Sequence, residues 1–252
     1  MKQAIRKDEI LSILERYNYV TVEFLADALY ISPSSIRRDL ARLEAQGLVR
    51  RSHGGVHSIE AQNSLTPYSL RVQENSARKR VICQKAIELV RDGDVVFIDG
   101  STTCLFLPEL LEQKKNITVL TNSLHIAAML GKNDRVRVYC TGGMMRLQDE
   151  LVMSGTIAEQ CIGQIRSNVM FFSSRAIDDD GVISDLNEPE TALRRVALRH
   201  TDKAVFLCDH TKFGQHSTFT VCHASDLSCI VTDLSPDELP PRKWQSEGVL
   251  WK

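Results

Sequence analysis

The chain has 252 residues, 43% of them hydrophobic and 25% charged, with a formal net charge of −1. That length can bury one large core or two smaller ones, and no apolar run approaches the roughly 20 residues of a membrane span. The opening MKQAIRKDEI lacks the apolar stretch of a secretion signal, and the seven cysteines are odd in number with no C-x-x-C pair. A cytoplasmic protein without a disulfide framework, zinc site or membrane partner is therefore expected.

Residues 6–16 have the apolar spacing of an amphipathic helix, with Ile10, Ile13 and Leu14 on one face. Thr21 is placed to cap a second helix running to about Leu29, and Val20 and Leu25 have the spacing of a hydrophobic staple. After a break at Tyr30-Ile31, Ser32 reads as an N-cap and Pro33 as the first residue of a third helix ending near Gln46, before Gly47. Two short helices separated by so tight a turn are the helix-turn-helix layout. On the third helix Ile36, Leu40 and Leu43 point together inward, while Ser34, Arg38 and Ala41 lie opposite, flanked by Arg37 and Arg42. A small, polar, cationic face suits the major groove, where arginine can bond guanine at two points. The following LVRRSHGGVHS alternates and turns at Gly54-Gly55, which predicts a two-stranded wing. Between residues 37 and 51, five arginines face only Asp39 and Glu44, a local excess of three positive charges. The candidate DNA contacts are Ser32, Ser34, Ser35, Arg37, Arg38 and Arg42 of the helix, with Arg50, Arg51 and His53 of the wing. A winged helix that binds only protein is the competing reading; His53 and His57 read as turn and strand residues rather than metal ligands.

The segment ISPSSIRRDLARLEAQGLVRRSHGG resembles the helix-turn-helix signature of the DeoR family of bacterial regulators, including its Ile-Arg-Arg-Asp-Leu centre and the His-Gly-Gly of its wing. The resemblance implies that Arg37 and Arg38 contact DNA and that Asp39 orients an arginine.

Residues 1–58 thus form the expected DNA-binding domain. Residues 59–74, polar with a break at Pro67, read as a linker, and residues 75–252 as a second domain. There, helical patterns at 75–91, 102–111, 123–130 and 189–199 alternate with short apolar runs at 95–98, 117–120, 136–140, 169–172, 204–208 and 229–232. This alternation predicts an α/β domain with a largely parallel sheet and helices on both faces. Cys83, Cys104, Cys140 and Cys208 fall in these runs, where a reduced thiol behaves as a small hydrophobe.

Residue types just after the strands suggest a ligand site. The candidates are Asp99, Gly100, Ser101, Thr102 and Thr103 after the first strand, Thr121 and Asn122 after the second, Gly142 and Gly143 after the third, and Lys212 after AVFLC. Carboxyl ends of parallel strands form the ligand crevice, small residues at helix starts offer N–H groups to an anion, and Lys212 adds charge. Each alone could be a helix cap or a turn; together they point to an anion pocket with a phosphorylated sugar as occupant. Arg175 and Lys79 are read equally as surface residues or as effector contacts.

The second domain also resembles the DeoR effector domain, which has the fold of ribose-5-phosphate isomerase. The resemblance rests on Asp99-Gly100-Ser101-Thr102-Thr103, Thr121-Asn122-Ser123, Gly142-Gly143 and Asp209-His210-Thr211-Lys212-Phe213-Gly214; Ser173-Ser174-Arg175-Ala176 departs from it. It implies a repressor of sugar uptake or catabolism genes that releases its operator when a phosphorylated sugar binds. No catalytic residue, metal or cofactor is assigned, and a homo-oligomer, at least a dimer, is expected because one module reads too few base pairs. Two alternatives remain: an isomerase-like enzyme with a DNA-binding appendage, for which Asp99, Asp209 and Lys212 are the only obvious catalytic candidates, and an architectural module with a degenerate ligand domain. For the enzyme, Asp178-Asp179-Asp180-Gly181 reads better as a turn than as a catalytic segment.

Overall fold

The computed structural model describes residues 2–17, 19–46, 48–52, 55–58, 68–145, 151–238 and 250–252. They belong to two compact units, Met1–Arg71 and Val72–Lys252.

In the first unit α1 (Lys2–Tyr17), β1 (Tyr19–Thr21), α2 (Val22–Leu29) and α3 (Pro33–Ala45) precede β2 (Val49–Ser52) and β3 (Gly55–Ser58). Ile10 and Leu14 of α1 pack with Leu25, Ile36, Leu40, Leu43, Val49 and Val56 in one apolar core. The Thr21 hydroxyl accepts the Phe24 N–H at 3.0 Å, the cap that its position predicts. Val20 and Leu25 are both buried, as a staple requires. Tyr30 ends α2 in the left-handed region, with φ 53°, and its N–H donates to the Ala26 and Asp27 carbonyls. Ser32 differs from expectation. It stands at the cap position of α3, but its hydroxyl bonds the hydroxyls of Ser34 and Ser35 instead of an amide, and its carbonyl accepts the N–H groups of Ser35 and Ile36. The wing also has a third strand: β3 pairs with β2 and with β1, both antiparallel. At three residues, β1 is too short to show alternation in sequence. The predicted helix end at Gly47 and the turn residue Gly54 lie outside the described residues.

The stretch read as a linker contains a helix, α4 (Tyr68–Gln73), and its residues 59–67 lie outside the described residues. The second unit continues with α5 (Ser76–Ala86), β4 (Val95–Ile98), α6 (Leu107–Leu111), β5 (Ile117–Thr121), α7 (Leu124–Leu130), β6 (Val136–Cys140), β7 (Met144–Met145) and β8 (Met153–Ser154). Next come α8 (Thr156–Gly163), β9 (Val169–Phe172), β10 (Ala176–Ile177), β11 (Val182–Asp185), α9 (Glu188–Arg199), β12 (Ala204–Cys208), β13 (Phe219–His223), β14 (Cys229–Thr232) and β15 (Leu250–Trp251). Among the described residues the main sheet has seven strands in the order β15-β14-β12-β9-β4-β5-β6. Every neighbouring pair is parallel.

Alternate residues of each strand serve opposite faces, which is why the strands read as unbroken apolar runs. Val96, Ile98, Phe171, Val205, Leu207 and Val231 pack under Ile82, Cys83 and Ala86 of α5, Leu107 and Leu111 of α6, and Ile126 and Leu130 of α7. Phe97, Leu120, Met170, Phe172, Phe206 and Ile230 pack under Ala158 and Ile162 of α8 and Leu193 and Ala197 of α9. A small antiparallel sheet, β10-β11-β13, joins the second face through Ile177, Ile183 and Val221. Helix α6 is shorter than predicted: Thr102 and Thr103 form a turn and Cys104–Phe106 a 3₁₀ segment before it. Cys83, Cys104 and Cys208 are buried, and burial pushes the Cys83 thiol up to about 12. Cys140, expected to be like them, is exposed, because it ends the edge strand β6.

Candidate functional site

Each unit carries one candidate surface. On α3 the side chains of Ser34, Arg37, Arg38, Ala41 and Arg42 are exposed, while Ile36, Leu40 and Leu43 are buried. The arginines make only light contacts within the unit. Arg37 reaches Glu23 of α2 at 3.4 Å and Arg38 reaches the Ser35 hydroxyl at 3.3 Å. Water competes with such contacts, so a phosphate or a base edge can replace them at little cost. Asp39 turns from this face and pairs with Arg6 of α1 at 2.7 Å, tying α3 to α1. In the wing, Glu44 holds Arg51 twice, through its backbone N–H at 2.8 Å and its side chain at 3.2 Å. Arg50 pairs with His57 across the ladder. The Arg50 side chain and all of His53 lie outside the described residues.

On the second unit the parallel sheet brings every strand's carboxyl end to one edge. The loops after β4, β5, β6, β9 and β12 are neighbours there in the order β12-β9-β4-β5-β6. Chain order reverses between β4 and β9, the position where open α/β sheets part their loops into a crevice. Lys79 of α5, itself 5% exposed, donates to the Thr102 hydroxyl at 3.3 Å. Among the described residues no acceptor is found for the amides of Thr102 and Thr103. Lys212 donates to the carbonyl of Ser174 at 2.5 Å.

Several predicted site residues turn out to hold this edge rather than line it. Asn122 is 2% exposed; its side chain accepts the Gly100 N–H at 2.9 Å and donates to the Met153 carbonyl at 3.1 Å. Thr121, also buried, accepts the Ser123 N–H. Gly100 leaves no room for a side chain, since a Cβ would stand 2.5 Å from Val152. Gly142 and Gly143 have φ of 65° and 108°, and a Cβ on Gly143 would lie 2.7 Å from the Ser154 carbonyl oxygen. Asp99 is committed at both oxygens, one accepting the Ser101 N–H at 3.1 Å and the other Arg194 at 2.8 Å.

Arg194 was not foreseen from the sequence. It lies on the buried face of α9, and its guanidinium binds Asp99 at 2.8 Å, Asp185 at 2.9 Å and Glu190 at 3.2 Å. Burial alone would lower its pKa, but the three carboxylates raise it above the ordinary arginine value. For Asp185 burial acts upward, yet Arg194, the Leu186 N–H and the Ser174 hydroxyl outweigh it and hold the carboxyl below its usual range. The Ser174 hydroxyl touches Asp185 at 3.0 Å, and the carbonyl of the same residue receives Lys212. A continuous polar layer thus links the loops after β4, β9 and β12. A signal existed in the sequence: Arg194 falls on the same helical face as Thr191 and Ala197, three residues to either side.

Asp178 and Asp209 are tied into local turns. Asp178 accepts the N–H groups of Asp180 and Val182, with Gly181 at φ 87°, so Asp178-Asp179-Asp180-Gly181 is the turn between β10 and β11. Asp209 accepts the Thr211 N–H at 3.0 Å and the hydroxyl of the same residue.

The profile of the DeoR-like helix-turn-helix domain matches residues 6–62, and that of the DeoR C terminal sensor domain matches residues 74–234. The chain belongs to the DeoR family. Among curated DeoR-type relatives, the HTH-type transcriptional regulator GolR of Listeria innocua is 30% identical over 97% of this chain and 96% of its own. The glycerol-3-phosphate regulon repressor of Haemophilus influenzae is 31% identical, covering 94% of this chain and 92% of that one. The L-fucose operon activator of Escherichia coli is 29% identical, covering 92% and 95%. Among solved structures, ribose 5-phosphate isomerase A of Methanocaldococcus jannaschii matches with 12% identity and a TM-score of 0.42, over 55% of each chain. With both DeoR profiles matched in order, the exposed arginine face belongs to a DNA-binding transcriptional regulator and the strand-end crevice to its sensor domain.

Proposed function

We propose that this DeoR-family regulator represses genes of sugar uptake or catabolism and leaves its operator when a phosphorylated sugar enters the crevice of the second unit. One observation carries the reading: at the carboxyl end of β4 lie Lys79, bonded to the Thr102 hydroxyl, and the amides of Thr102 and Thr103, for which no acceptor is found among the described residues. A phosphate group answers that donor set, and the small residue Ser101 admits it closely. Asp99, Thr121 and Asn122 act as positioning residues for this loop, while Ser101, Thr102, Thr103 and Lys212 supply contacts. Relatives named as a repressor and as an activator both occur, and repression is the reading adopted here.

The DNA side follows from the α3 face. A two-fold pair of chains in the cytoplasm would read half-sites about 34 Å apart, or multiples of that spacing. Release is linkage: the sugar phosphate binds the DNA-incompetent arrangement more tightly than the competent one. An enzymatic reading has no support in the geometry, because Asp99, the first candidate for a base, is held by Arg194 and the Ser101 N–H.

The test is footprinting on DNA flanking the protein's own gene, repeated with a panel of sugar phosphates. A protected, two-fold related site that is lost with one of them is expected. Arg38→Ala should weaken that complex by about 1–3 kcal/mol if the side chain reads a base. Protection indifferent to every sugar phosphate would remove the sensor half of the proposal, and unchanged affinity in Arg38→Ala would take that residue off the recognition surface.

A further inference from the structure

We infer that Arg175 is a second anion contact and that the effector is a sugar carrying two acidic groups, a bisphosphate or a phosphorylated sugar acid. The inference rests on the crevice of the second unit being the effector site. Cations at this edge form two groups rather than one. The first is Lys79 with Thr102 at the end of β4. The second is Lys212 with Arg175, at the ends of β12 and β9.

Lys212 spends a hydrogen bond on the neutral carbonyl of Ser174, and Arg175 is the next residue along the chain. The bridge between Ile177 and Phe213 runs residues 173–177 beside residues 209–213, so the two cations lie on adjacent stretches. Neither forms a direct ion pair, although the charge of Lys212 reaches Asp185 and helps to lower its pKa. Among the described residues Lys212 has no carboxylate within ion-pair distance, and Arg175 is exposed with no hydrogen bond or ion pair. Asp185 is already bound to Arg194, to Ser174 and to the amides of Leu186 and Asn187. An exposed arginine without an ion pair, on the stretch beside Lys212, favours an anion there, and the guanidinium fork binds carboxylate or phosphate at two points.

Distance separates the two groups. Strands β4, β9 and β12 are consecutive neighbours, so the ends of β4 and β12 stand about 10 Å apart at the usual strand spacing. A single phosphate held by Lys79 and Thr102 does not span that gap. A sugar chain with an acidic group at each end does.

The full-length protein is titrated with matched pairs: fructose 1,6-bisphosphate against fructose 6-phosphate, and 6-phosphogluconate against glucose 6-phosphate, with inorganic phosphate alongside. Binding is read by calorimetry at fixed ionic strength. In at least one pair the doubly acidic member should bind about tenfold more tightly. Arg175→Ala should remove most of that preference while leaving inorganic phosphate binding unchanged, and Arg175→Lys should restore part of it. Equal affinity within both pairs, or a preference that survives Arg175→Ala, overturns the inference while leaving the single-phosphate site intact. If none of the five probes binds the unmodified protein, the crevice reading and this inference fall together.

Discussion

The two units use arginine in opposite ways. Arg37 meets Glu23 with side chains 60% and 63% exposed, whereas Arg194 meets Asp99 with side chains 4% and 1% exposed. An exposed pair is worth about 0–1 kcal/mol and surrenders its cation readily, which suits the surface of a DNA-binding domain. A buried pair is costly to assemble and costlier to break, which suits a scaffold that must hold three loops in register. The charge in the first unit is exposed and lightly held; in the second it is locked below the strand ends.

Breaking the buried side of this contrast should have the largest effect. Arg194→Met leaves Asp99, Asp185 and Glu190 without their shared cation and should destabilise the second unit by about 3–5 kcal/mol, read by urea unfolding. Its pH dependence should also change sign. In the unmodified protein Asp185 has a lowered pKa, so its contribution is present above the ordinary aspartate value and is lost as pH falls through the lower folded value. Without Arg194, burial dominates and raises the folded values, so the variant should gain stability as pH is lowered from 7 toward 5. A variant with unaltered stability and slope would show that the ion network is idle.

Next in size is Gly143→Ala. The φ of 108° and a Cβ placed 2.7 Å from a backbone oxygen leave no cheap adjustment, so a loss of about 1–3 kcal/mol is expected from thermal unfolding. An unperturbed melting temperature would mean that the loop after β6 moves freely. The smallest effect should come from Glu23→Ala, which removes the carboxylate facing Arg37. Stability should change by less than about 0.5 kcal/mol, while affinity for the operator stays level or rises slightly. A clear fall in affinity would show that Glu23 presents Arg37 to DNA rather than lending it a temporary partner.

How much was legible in the sequence follows the same division. The α3 face could be read because it is a local property: one helix, one period, and cations where a core-facing residue would be apolar. The strands of the main sheet were legible for a related reason, since burial on both faces leaves continuous apolar runs such as AVFLC. Helix α8, the small β10-β11-β13 sheet and β15 were not foreseen. Their strands are two to five residues long and take their order from partners distant in the chain. At the strand ends the residue types were found but the roles were mixed. Nothing local to Asp99, read as a site residue, reveals that it bonds Arg194, 95 positions later on α9. Ser32 shows the complementary failure: its position as a cap was readable, but the choice of two neighbouring hydroxyls over an amide was not.

The strand order β12-β9-β4 carries a consequence for synthesis on the ribosome. The helices and wing that present the arginine face are complete once residue 58 has emerged, and such a unit can fold as soon as it is free. The crevice, by contrast, cannot exist until the segment holding Lys212 has been made and threaded beside β9. Each new chain therefore completes its DNA-binding domain well before the crevice of its sensor domain.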